Sequence, residues 1–370
     1  MPALRLLRRV ILLIPVLLAS AYAADDLTEK EIRQGHRART LLAKPRAGLA
    51  QVERAEAVER VQLVRSHPAL GGLRTLETDG AEEIGDVIKR LRDTGLYEYV
   101  EPDYIRTASV LPNDPRLAED QWSLDNTGQA GGTPGAHIGA AAAWDIQREA
   151  PNVLVAVIDS GLLVTHEDIA ANLWENTAER QGTPFRDDDG NGYIDDLHGI
   201  DATVARTSTV AGQPRDVVGH GTHVAGIIGA VGDNAKGIAG VAWKTQIIAL
   251  KFLGRFGGSV SGSIACIDYA IARKVHVINA SYGSHGYSQA EYDALKRARD
   301  AGIIVVAAAG NDNQEISDFP SYPAAYELDN IIAVAATTRQ DKLASFSTYG
   351  SGLVELAAPG ASILSLGITA

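Results

Sequence analysis

Short apolar runs rich in β-branched residues alternate with amphipathic stretches through residues 137–370, and this alternation constrains the fold more than any other feature of the sequence. The apolar runs are Val153–Ile158, Gln246–Phe252, Val275–Asn279, Ile303–Ala308 and Ile331–Ala335. The helical candidates are Ala136–Gln147, His220–Ala230, Ser259–Arg273 and Ser288–Arg299. Because strands that read as continuous apolar runs are buried on both faces, the pattern predicts an α/β fold with a doubly wound parallel sheet.

Polar side chains follow three of these runs closely, where each predicted strand ends. Asp159 comes after the first run, Ser281 after the third and Asn311 after the fourth. The carboxyl ends of parallel strands meet along one edge of a sheet, and functional groups gather there. The sequence therefore predicts a site at this edge that includes all three side chains.

Asp159 and His220 are candidates for a catalytic acid and base. Asp159 lies in Val153-Leu-Val-Ala-Val-Ile-Asp-Ser-Gly161, beside a tight turn, where a carboxylate can accept the N–H of an imidazole. His220 opens the helical candidate in Gly219-His-Gly-Thr-His-Val-Ala-Gly226, where it would act as general base near neutral pH. Taken alone, Asp159 would more simply cap the next helix. The presence of His220 favours the catalytic interpretation.

His223 suggests an alternative, in which His220 and His223 bind zinc in a metal-dependent hydrolase. A zinc site needs a third ligand, and the metalloprotease motif His-Glu-x-x-His is absent from the sequence. We therefore interpret His223 as a structural residue, hydrogen-bonded near the base.

The stretches around Asp159 and His220, together with Ala307-Ala-Ala-Gly-Asn311, resemble those of the subtilisin-like serine proteases, or subtilases. The resemblance implies peptide-bond hydrolysis in which Asp159 orients His220 and the amide of Asn311 donates to the oxyanion. In that family the nucleophilic serine follows in a Gly-Thr-Ser-Met-Ala stretch, which this sequence does not contain. We expect a chain cut before the catalytic serine and inactive by itself. The alternative is a non-catalytic protein that binds peptides or inhibits proteases.

Two further segments, Asn279-Ala-Ser-Tyr-Gly283 and Leu253-Gly-Arg-Phe-Gly-Gly258, resemble the substrate-binding strands of the family. The residues that would contact substrate are Ser281, Tyr282, Gly283, Gly257 and Gly258. The resemblance implies that a peptide adds between these segments as an extended strand, where glycines permit close backbone approach. Tyr282 stands where relatives carry an aliphatic residue or Trp, so the side-chain preference of the site stays open.

An acidic loop over residues 186–196 has the composition of a hard-cation site. It reads Arg-Asp-Asp-Asp-Gly-Asn-Gly-Tyr-Ile-Asp-Asp, which follows the first part of the EF-hand spacing. The predicted calcium ligands are Asp187, Asp189, Asn191 and Asp196. His198 stands where the bidentate Glu of an EF-hand belongs, so Asp195 or Asp196 would have to replace it. A solvated acidic loop is the alternative, and the resemblance alone implies a second calcium site near Asp168, Asp233 and Asn234.

Residues 1–136 divide into three predicted segments. Residues 1–23 carry three arginines, an apolar run too short for a bilayer span and Ala21-Tyr-Ala23, which together predict a cleaved secretory signal rather than a membrane anchor. Residues 24–108 predict a small ferredoxin-like α+β unit that resembles the inhibitory prodomain of subtilases. Residues 109–136 would be a linker and the start of the mature enzyme, residues 137–370 the peptidase domain, and self-cleavage is expected between Thr107 and Pro112.

The elements predicted for the prodomain alternate strand and helix. The strands are Arg39–Lys44, Leu73–Thr78 and Leu96–Val100, and the helices are Leu49–Arg65 and Ala81–Leu91. The second helix carries apolar residues at i, i+3, i+4 and i+7, the spacing of one helix face.

Charge and cysteine content exclude some classes of function. The formal net charge is −12, with 17 Lys and Arg against 16 Asp and Glu over residues 1–111 (net +1) and 17 against 30 over residues 112–370 (net −13). Such an acidic surface disfavours nucleic acid, and we expect neither nucleic acid nor stable membrane association. The single Cys266 excludes an internal disulfide and is expected to be buried. The expected partners are peptide or protein substrates and the prodomain as an intramolecular inhibitor, outside the cytoplasm.

Overall fold

The structure, a computed structural model, describes residues 36–46, 48–105 and 111–368. The chain divides into two compact units, Met1–Ala108 and Ser109–Ala370. The predicted secretory signal and most of the predicted self-cleavage segment lie outside the described residues.

The first unit is a four-stranded antiparallel sheet with two helices. Its elements are β1 (His36–Pro45), α1 (Leu49–Val58), β2 (Val61–His67), β3 (Leu73–Thr78), α2 (Ile84–Asp93) and β4 (Tyr97–Tyr104). The strand order β2-β3-β1-β4 with this element order is the ferredoxin-like arrangement. Ile84, Val87, Ile88 and Leu91 form the buried face of α2, as their helical spacing predicts.

One element of this unit differs from the prediction. The helix expected over Leu49–Arg65 ends at Val58, and the residues after it form β2. Arg60 has φ 54°, a left-handed conformation that an α-helix cannot continue through. Leu63 and Val64 are exposed along this edge strand, so no alternation of buried side chains marks it in the sequence.

The second unit is built on a seven-stranded parallel sheet in the order β11-β10-β9-β8-β5-β7-β6. Its strands are β5 (Glu149–Asp159), β6 (Gly199–Asp201), β7 (Lys244–Lys251), β8 (Val277–Ala280), β9 (Ile304–Ala308), β10 (Ile331–Thr337) and β11 (Leu356–Pro359). Its helices are α3 (Leu117–Asp120), α4 (Ala140–Trp144), α5 (Thr177–Gln181), α6 (His220–Gly229), α7 (Val260–Ala272) and α8 (Gln289–Asp300). The predicted α/β class with a doubly wound parallel sheet is confirmed.

Both faces of this sheet are buried, which explains the unbroken apolar runs. In β5, Ala156 and Ile158 belong to the core that includes Cys266 of α7 and Leu295 of α8. Val157 points to the opposite face, where it joins the cluster packed under α6. Successive side chains of a strand point to opposite faces, so every position of the run must be apolar.

Some details of the second unit differ from the prediction. The helix expected over Ala136–Gln147 is reduced to α4, because Gly139 has φ 72° immediately before it. The strands β6 and β11, at the two edges of the sheet, were not predicted, because neither carries a β-branched apolar run. None of the helices in the described ranges is both long and apolar enough to cross a membrane.

Candidate active site

Asp159 ends β5 at the carboxyl edge of the sheet and is completely buried. Its Oδ1 accepts the backbone N–H of Ser160 at 2.6 Å. Gly161 follows with φ 105°, which lets the chain turn sharply away from the strand. The parallel register with β7 and β8 therefore delivers this carboxylate to the edge where the sequence placed it.

His220 opens α6 and meets Asp159 directly. Its Nδ1 lies 2.8 Å from Oδ1 and 2.9 Å from Oδ2 of Asp159. A carboxylate only accepts, so Nδ1 carries the proton and Nε2 is free to act as a base. The side chain of His220 is 51% exposed, whereas that of Asp159 is 0% exposed. The hydrogen bond to Asp159 raises the pKa of His220, and burial only partly opposes this effect.

Close approach of α6 to the end of β5 makes this contact possible. Gly219 precedes the helix with φ 99°. A Cβ on Gly221 would lie 2.2 Å from the carbonyl oxygen of Gly161. Glycine is therefore required at position 221, and it is the short distance between the two backbones that brings the imidazole to the carboxylate.

His223 does not form a metal pair with His220. Its Nε2 lies 3.2 Å from the carbonyl oxygen of Ile363. In the described ranges, the group of side chains close enough to share a metal contains carboxylates and no histidine. His223 thus has a structural contact, made to the C-terminal segment rather than beside the base.

Asn311 lies on the same edge of the sheet and is exposed. It follows β9 through Gly310, whose φ of 125° turns the chain out of the strand. Because β8 lies between β9 and β5, the segment Ser281–Gly283 is placed between Asn311 and Asp159 along this edge. All three predicted side chains therefore lie at the carboxyl edge of the parallel sheet.

Within the Ser281–Gly283 segment, the Tyr282 side chain packs against neighbouring residues of the second unit. The ring of Tyr282 packs edge-on against Phe252 at 4.6 Å between centroids, and its hydroxyl lies 3.5 Å from Glu291. The Tyr282 side chain therefore packs against the core of the second unit, where it is partly buried. Gly283 is exposed, and a Cβ there would lie 2.5 Å from Oγ of Ser321.

The second predicted substrate segment is a tight turn after β7. Gly254 and Gly257 exchange backbone hydrogen bonds of 2.9 and 3.3 Å, and a Cβ on Gly258 would lie 2.5 Å from the carbonyl oxygen of Phe252. The backbone N–H of Phe252 donates to the carbonyl of Asp159 at 3.0 Å, so this segment starts beside the acid. Phe256 stands at the tip of the turn with its whole side chain exposed, a feature that the sequence analysis did not single out.

Comparison with known families agrees with this geometry. Residues 150–369, which contain the whole parallel sheet except the first residue of β5, match the model of the subtilase family. The chain belongs to the subtilase family. Subtilases are serine-type endopeptidases that act on peptide or protein substrates.

Three relatives of this subtilase align with 69–75% of the chain. A thermophilic serine proteinase of Bacillus sp. (strain AK1) is 35% identical over 280 residues, which are 75% of this chain and 59% of that protein. An extracellular protease of Xanthomonas campestris pv. campestris is 36% identical over 288 residues, 72% of this chain and 45% of that protein. Thermitase of Thermoactinomyces vulgaris is 34% identical, over 69% of this chain and 75% of its own length.

A solved structure is similar as well. A protease from Pseudoalteromonas arctica aligns with a TM-score of 0.51 at 30% identity, covering 68% of this chain and 73% of that chain. Since the subtilase chain spans 59% of the Bacillus relative and 45% of the Xanthomonas relative, it corresponds to only part of those proteins.

Subtilases commonly bind structural calcium, and the acidic loop of this subtilase does contain a carboxylate cluster. Glu179, Asp189 and Asp196 place carboxylate oxygens within 4.8 Å of one another. Two of the predicted ligands are in this cluster, and Glu179 was missed. The other two have different roles, because Asp187 accepts the backbone N–H of Asn191 and the Asn191 amide donates to Asp196 at 2.7 Å.

Arg273 already supplies a positive charge to this cluster. One guanidinium nitrogen, Nη2, lies 2.6 Å from Asp189 and 3.2 Å from Asp196. Burial alone would raise the pKa of Asp189, but the hydrogen bond from Arg273 outweighs it and the pKa is lowered. Tyr269 donates to Asp196 at 2.5 Å. Arg273 and Tyr269 therefore already compensate part of the negative charge of this cluster, which still places three carboxylates close enough together to share a metal ion.

A second pair of carboxylates is a further candidate for a cation site. Asp114 and Asp168 are 4% and 1% exposed, and neither makes an ion pair with a Lys or Arg side chain in the described part of the chain. Burial raises the pKa of both, and the negative charge of Asp168 raises that of Asp114 further. Asn234 donates its amide to Asp168 at 2.8 Å. The resemblance to subtilases implied a second calcium site near Asp168, Asp233 and Asn234, and it did not include Asp114.

Proposed function

We propose that this protein is a serine endopeptidase that hydrolyses peptide bonds by Asp–His–Ser acyl-enzyme chemistry. The observation that carries the proposal is the contact of His220 with Asp159, in which a fully buried carboxylate holds Nδ1 at 2.8 Å and 2.9 Å. An accessible imidazole in front of a buried acid is the arrangement of a general base.

Each group has a defined role in this mechanism. Nε2 of His220 takes the proton of the nucleophilic serine and returns it to the leaving amine, while Asp159 stabilises the imidazolium. The amide of Asn311 donates to the oxyanion. The peptide lies between the backbones of Ser281–Gly283 and Gly257–Gly258. Because no Gly-Thr-Ser-Met-Ala stretch occurs in residues 1–370, we expect these residues alone to bind peptide without cleaving it.

Fluorophosphonate labelling tests the proposal. The protein to be labelled is the full gene product, not residues 1–370 alone. We expect one serine to be labelled near neutral pH and H220A to abolish the labelling. The control H137A changes a histidine in the loop before α4 and should label normally. Folded protein that does not label, or labelling that survives H220A, contradicts the proposal.

We further propose that residues 1–23 are a secretory signal and residues 24–108 an inhibitory prodomain, so that the enzyme is exported as a zymogen. Support comes from the ferredoxin-like topology of the first unit, from its own apolar core and from two relatives named as extracellular proteases. N-terminal sequencing of the secreted enzyme should find a start between Thr107 and Pro112. Residues 24–108 added in trans should inhibit peptide hydrolysis, and an active secreted enzyme that keeps its prodomain contradicts this proposal.

We also propose that calcium binds beside Asp114 and Asp168, with Asn234 next to them. The support is the burial of two carboxylates that lack a cationic partner among the described residues, since calcium takes oxygen ligands and would compensate their charge. EDTA should lower the melting temperature and calcium should restore it, whereas D168N should respond to neither. A melting temperature that is the same in EDTA and in calcium contradicts this proposal.

A further inference from the structure

Asp216, in the loop before α6, is a buried carboxylate to which neither the mechanism nor the family match assigns a role. It is 5% exposed. Its Oδ1 accepts from Oγ of Ser160 at 3.0 Å and from the backbone N–H groups of Val218 and Gly219 at 2.9 and 2.8 Å. Its Oδ2 accepts from the backbone N–H of Thr222 at 3.0 Å and from the Thr222 hydroxyl at 2.7 Å. Hydrogen bonds from several donors thus fix this side chain.

The donors to Asp216 belong to the two segments that carry the acid and the base. Ser160 follows Asp159 in the chain, and Gly219 and Thr222 lie within two residues of His220. The Ser160 hydroxyl also accepts the backbone N–H of Gly221 at 2.9 Å. One carboxylate therefore joins the end of β5 to the first turn of α6, which are the two segments whose separation sets the Asp159–His220 distance.

Asp216 also places negative charge near the imidazole. Burial would raise its pKa, but the hydrogen bonds from Gly219 and Thr222 outweigh burial and lower it, so the group is ionised at neutral pH. In the described part of the chain, Asp159 from β5 and Asp216 from the loop are the charged groups that act on the His220 ring. The negative charges of two carboxylates, rather than one, therefore favour the protonated form of His220.

We propose that Asp216 is a positioning residue for His220: it holds the start of α6 against the end of β5, and its charge stabilises the imidazolium. Its part in turnover rests on the proposed protease function, but the geometry and the charge effect do not. The inference can therefore be tested without catalysis, on residues 1–370 as they stand.

The test is an NMR titration of His220 in protein carrying ¹³C-labelled histidine, with the signal assigned by H220Q. D216N keeps the shape of the side chain and removes its charge, so the pKa of His220 should fall by about one unit. The control D268N removes an exposed carboxylate paired with Arg297 and should leave the pKa of His220 unchanged. An unchanged pKa in folded D216N overturns the inference.

S160A separates position from charge and covers the case in which D216N does not fold. It removes the hydroxyl between Asp216 and Gly221 and leaves every charge in place. The downfield Nδ1 proton shared with Asp159 should broaden in S160A, while the pKa of His220 changes by less than in D216N. A sharp, unshifted proton overturns the positioning role. A further outcome is that the full gene product fails to label with fluorophosphonate while D216N lowers the pKa of His220 and S160A broadens the Nδ1 proton. That combination would refute the protease proposal and support this inference.

Discussion

The buried aspartates of this protein differ in how readily they ionise, because they accept different sets of hydrogen bonds. Asp159 and Asp216 are both buried, but each receives hydrogen bonds from its neighbours that compensate its charge. Asp114 and Asp168 are equally buried, and in their case burial raises the pKa. Asp216 is thus held as an anion near the base, whereas Asp114 and Asp168 resist ionisation at the proposed calcium site.

The Asp159 carboxylate should be essential for the basicity and orientation of His220. In D159N the side chain keeps its size, but it loses the charge that stabilises the imidazolium and the preference for the tautomer protonated at Nδ1. We expect the rate of peptide hydrolysis by the protein from its natural gene to fall by about 10⁴-fold. D268N, the exposed charge-removing control, should keep the wild-type rate. A loss smaller than tenfold in D159N would show that this pair does not carry catalysis.

The raised pKa of Asp168 makes a signed prediction about stability and pH. A carboxyl with a raised folded-state pKa binds its proton more tightly when folded, so the free energy of unfolding falls as pH rises from the ordinary value to the raised one. In EDTA, wild-type protein should therefore lose more stability between pH 4 and pH 7 than D168N. Urea denaturation at the two pH values measures this difference. Equal pH slopes in the two proteins would contradict it.

Functional residues that lie in long sequence motifs could be predicted from the sequence. Residues whose role is to accept backbone hydrogen bonds in the folded structure could not. Asp159 and His220 are marked by apolar and glycine-rich neighbours, and their contact follows from the parallel sheet. Asp216 and Asp114 stand in loops whose sequences give no periodic signal, since their role depends on which N–H groups the tertiary fold brings within reach. The exposure of Phe256 likewise follows from a turn geometry that spacing alone does not give.

At the scale of secondary-structure elements, the bounds of the buried strands were predicted to within a few residues. The edge strands β2 and β6 and the end of helix α1, which depend on tertiary contacts, were not predicted. Val153–Ile158 and Ile331–Ala335 are found within β5 and β10, because burial on both faces demands an apolar run. The strands β2 and β6 lie at sheet edges and carry no such run. Helix α1 stops where the backbone enters a left-handed conformation at Arg60, which its composition does not indicate.

The contact between α6 and β5 predicts that an added methyl group at position 221 is harmful. In G221A the new Cβ would lie 2.2 Å from the carbonyl oxygen of Gly161, so the helix start must move away from Asp159. We expect a loss of about 1–3 kcal/mol in the free energy of unfolding and a weakened Asp159–His220 hydrogen bond. Urea denaturation and the Nδ1 proton signal of His220 measure the two effects. G286A is the matched control, because no atom lies within 4 Å of a Cβ built there, and stability equal to that control would refute the prediction.

Arg273 should stabilise the link between α7 and the acidic loop. R273A leaves Asp196, whose side chain is fully buried, without its cation, and we expect a loss of about 3–5 kcal/mol in the free energy of unfolding. The control R297A breaks a pair whose side chains are 55% and 48% exposed, which should cost less than about 1 kcal/mol. Chemical denaturation in EDTA compares the two variants. Similar losses in both would mean that Arg273 is not the compensating charge.

At the scale of the whole molecule, the chain is two units with separate cores and different charge. Leu41, Leu76 and Ile88 belong to the core of the first unit, and Ile158 and Leu250 to that of the second. The net charge of +1 over residues 1–111 contrasts with −13 over residues 112–370. An inhibitory role for the first unit requires it to fold on its own core.

The buried Arg74–Glu56 pair offers a way to test that independence. Both side chains are 5% exposed, and Nε and Nη2 of Arg74 each donate to a Glu56 oxygen at 2.7 Å. R74A leaves Glu56 buried and unpaired, so we expect a loss of about 3–5 kcal/mol confined to the first unit. Hydrogen exchange followed by mass spectrometry should then show peptides of β1 and β3 exchanging more than ~10²-fold faster, with those of β5 unchanged.

The control for this experiment is R37A in the same unit. Arg37 lies 3.4 Å from Asp103, with side chains 62% and 25% exposed, so its removal should change exchange only slightly. If β5 peptides in R74A exchanged faster by the same factor as β1 peptides, the two units would unfold as one. The first unit could not then be removed by cleavage without loss of the sheet that holds Asp159, and the zymogen proposal would fail with it.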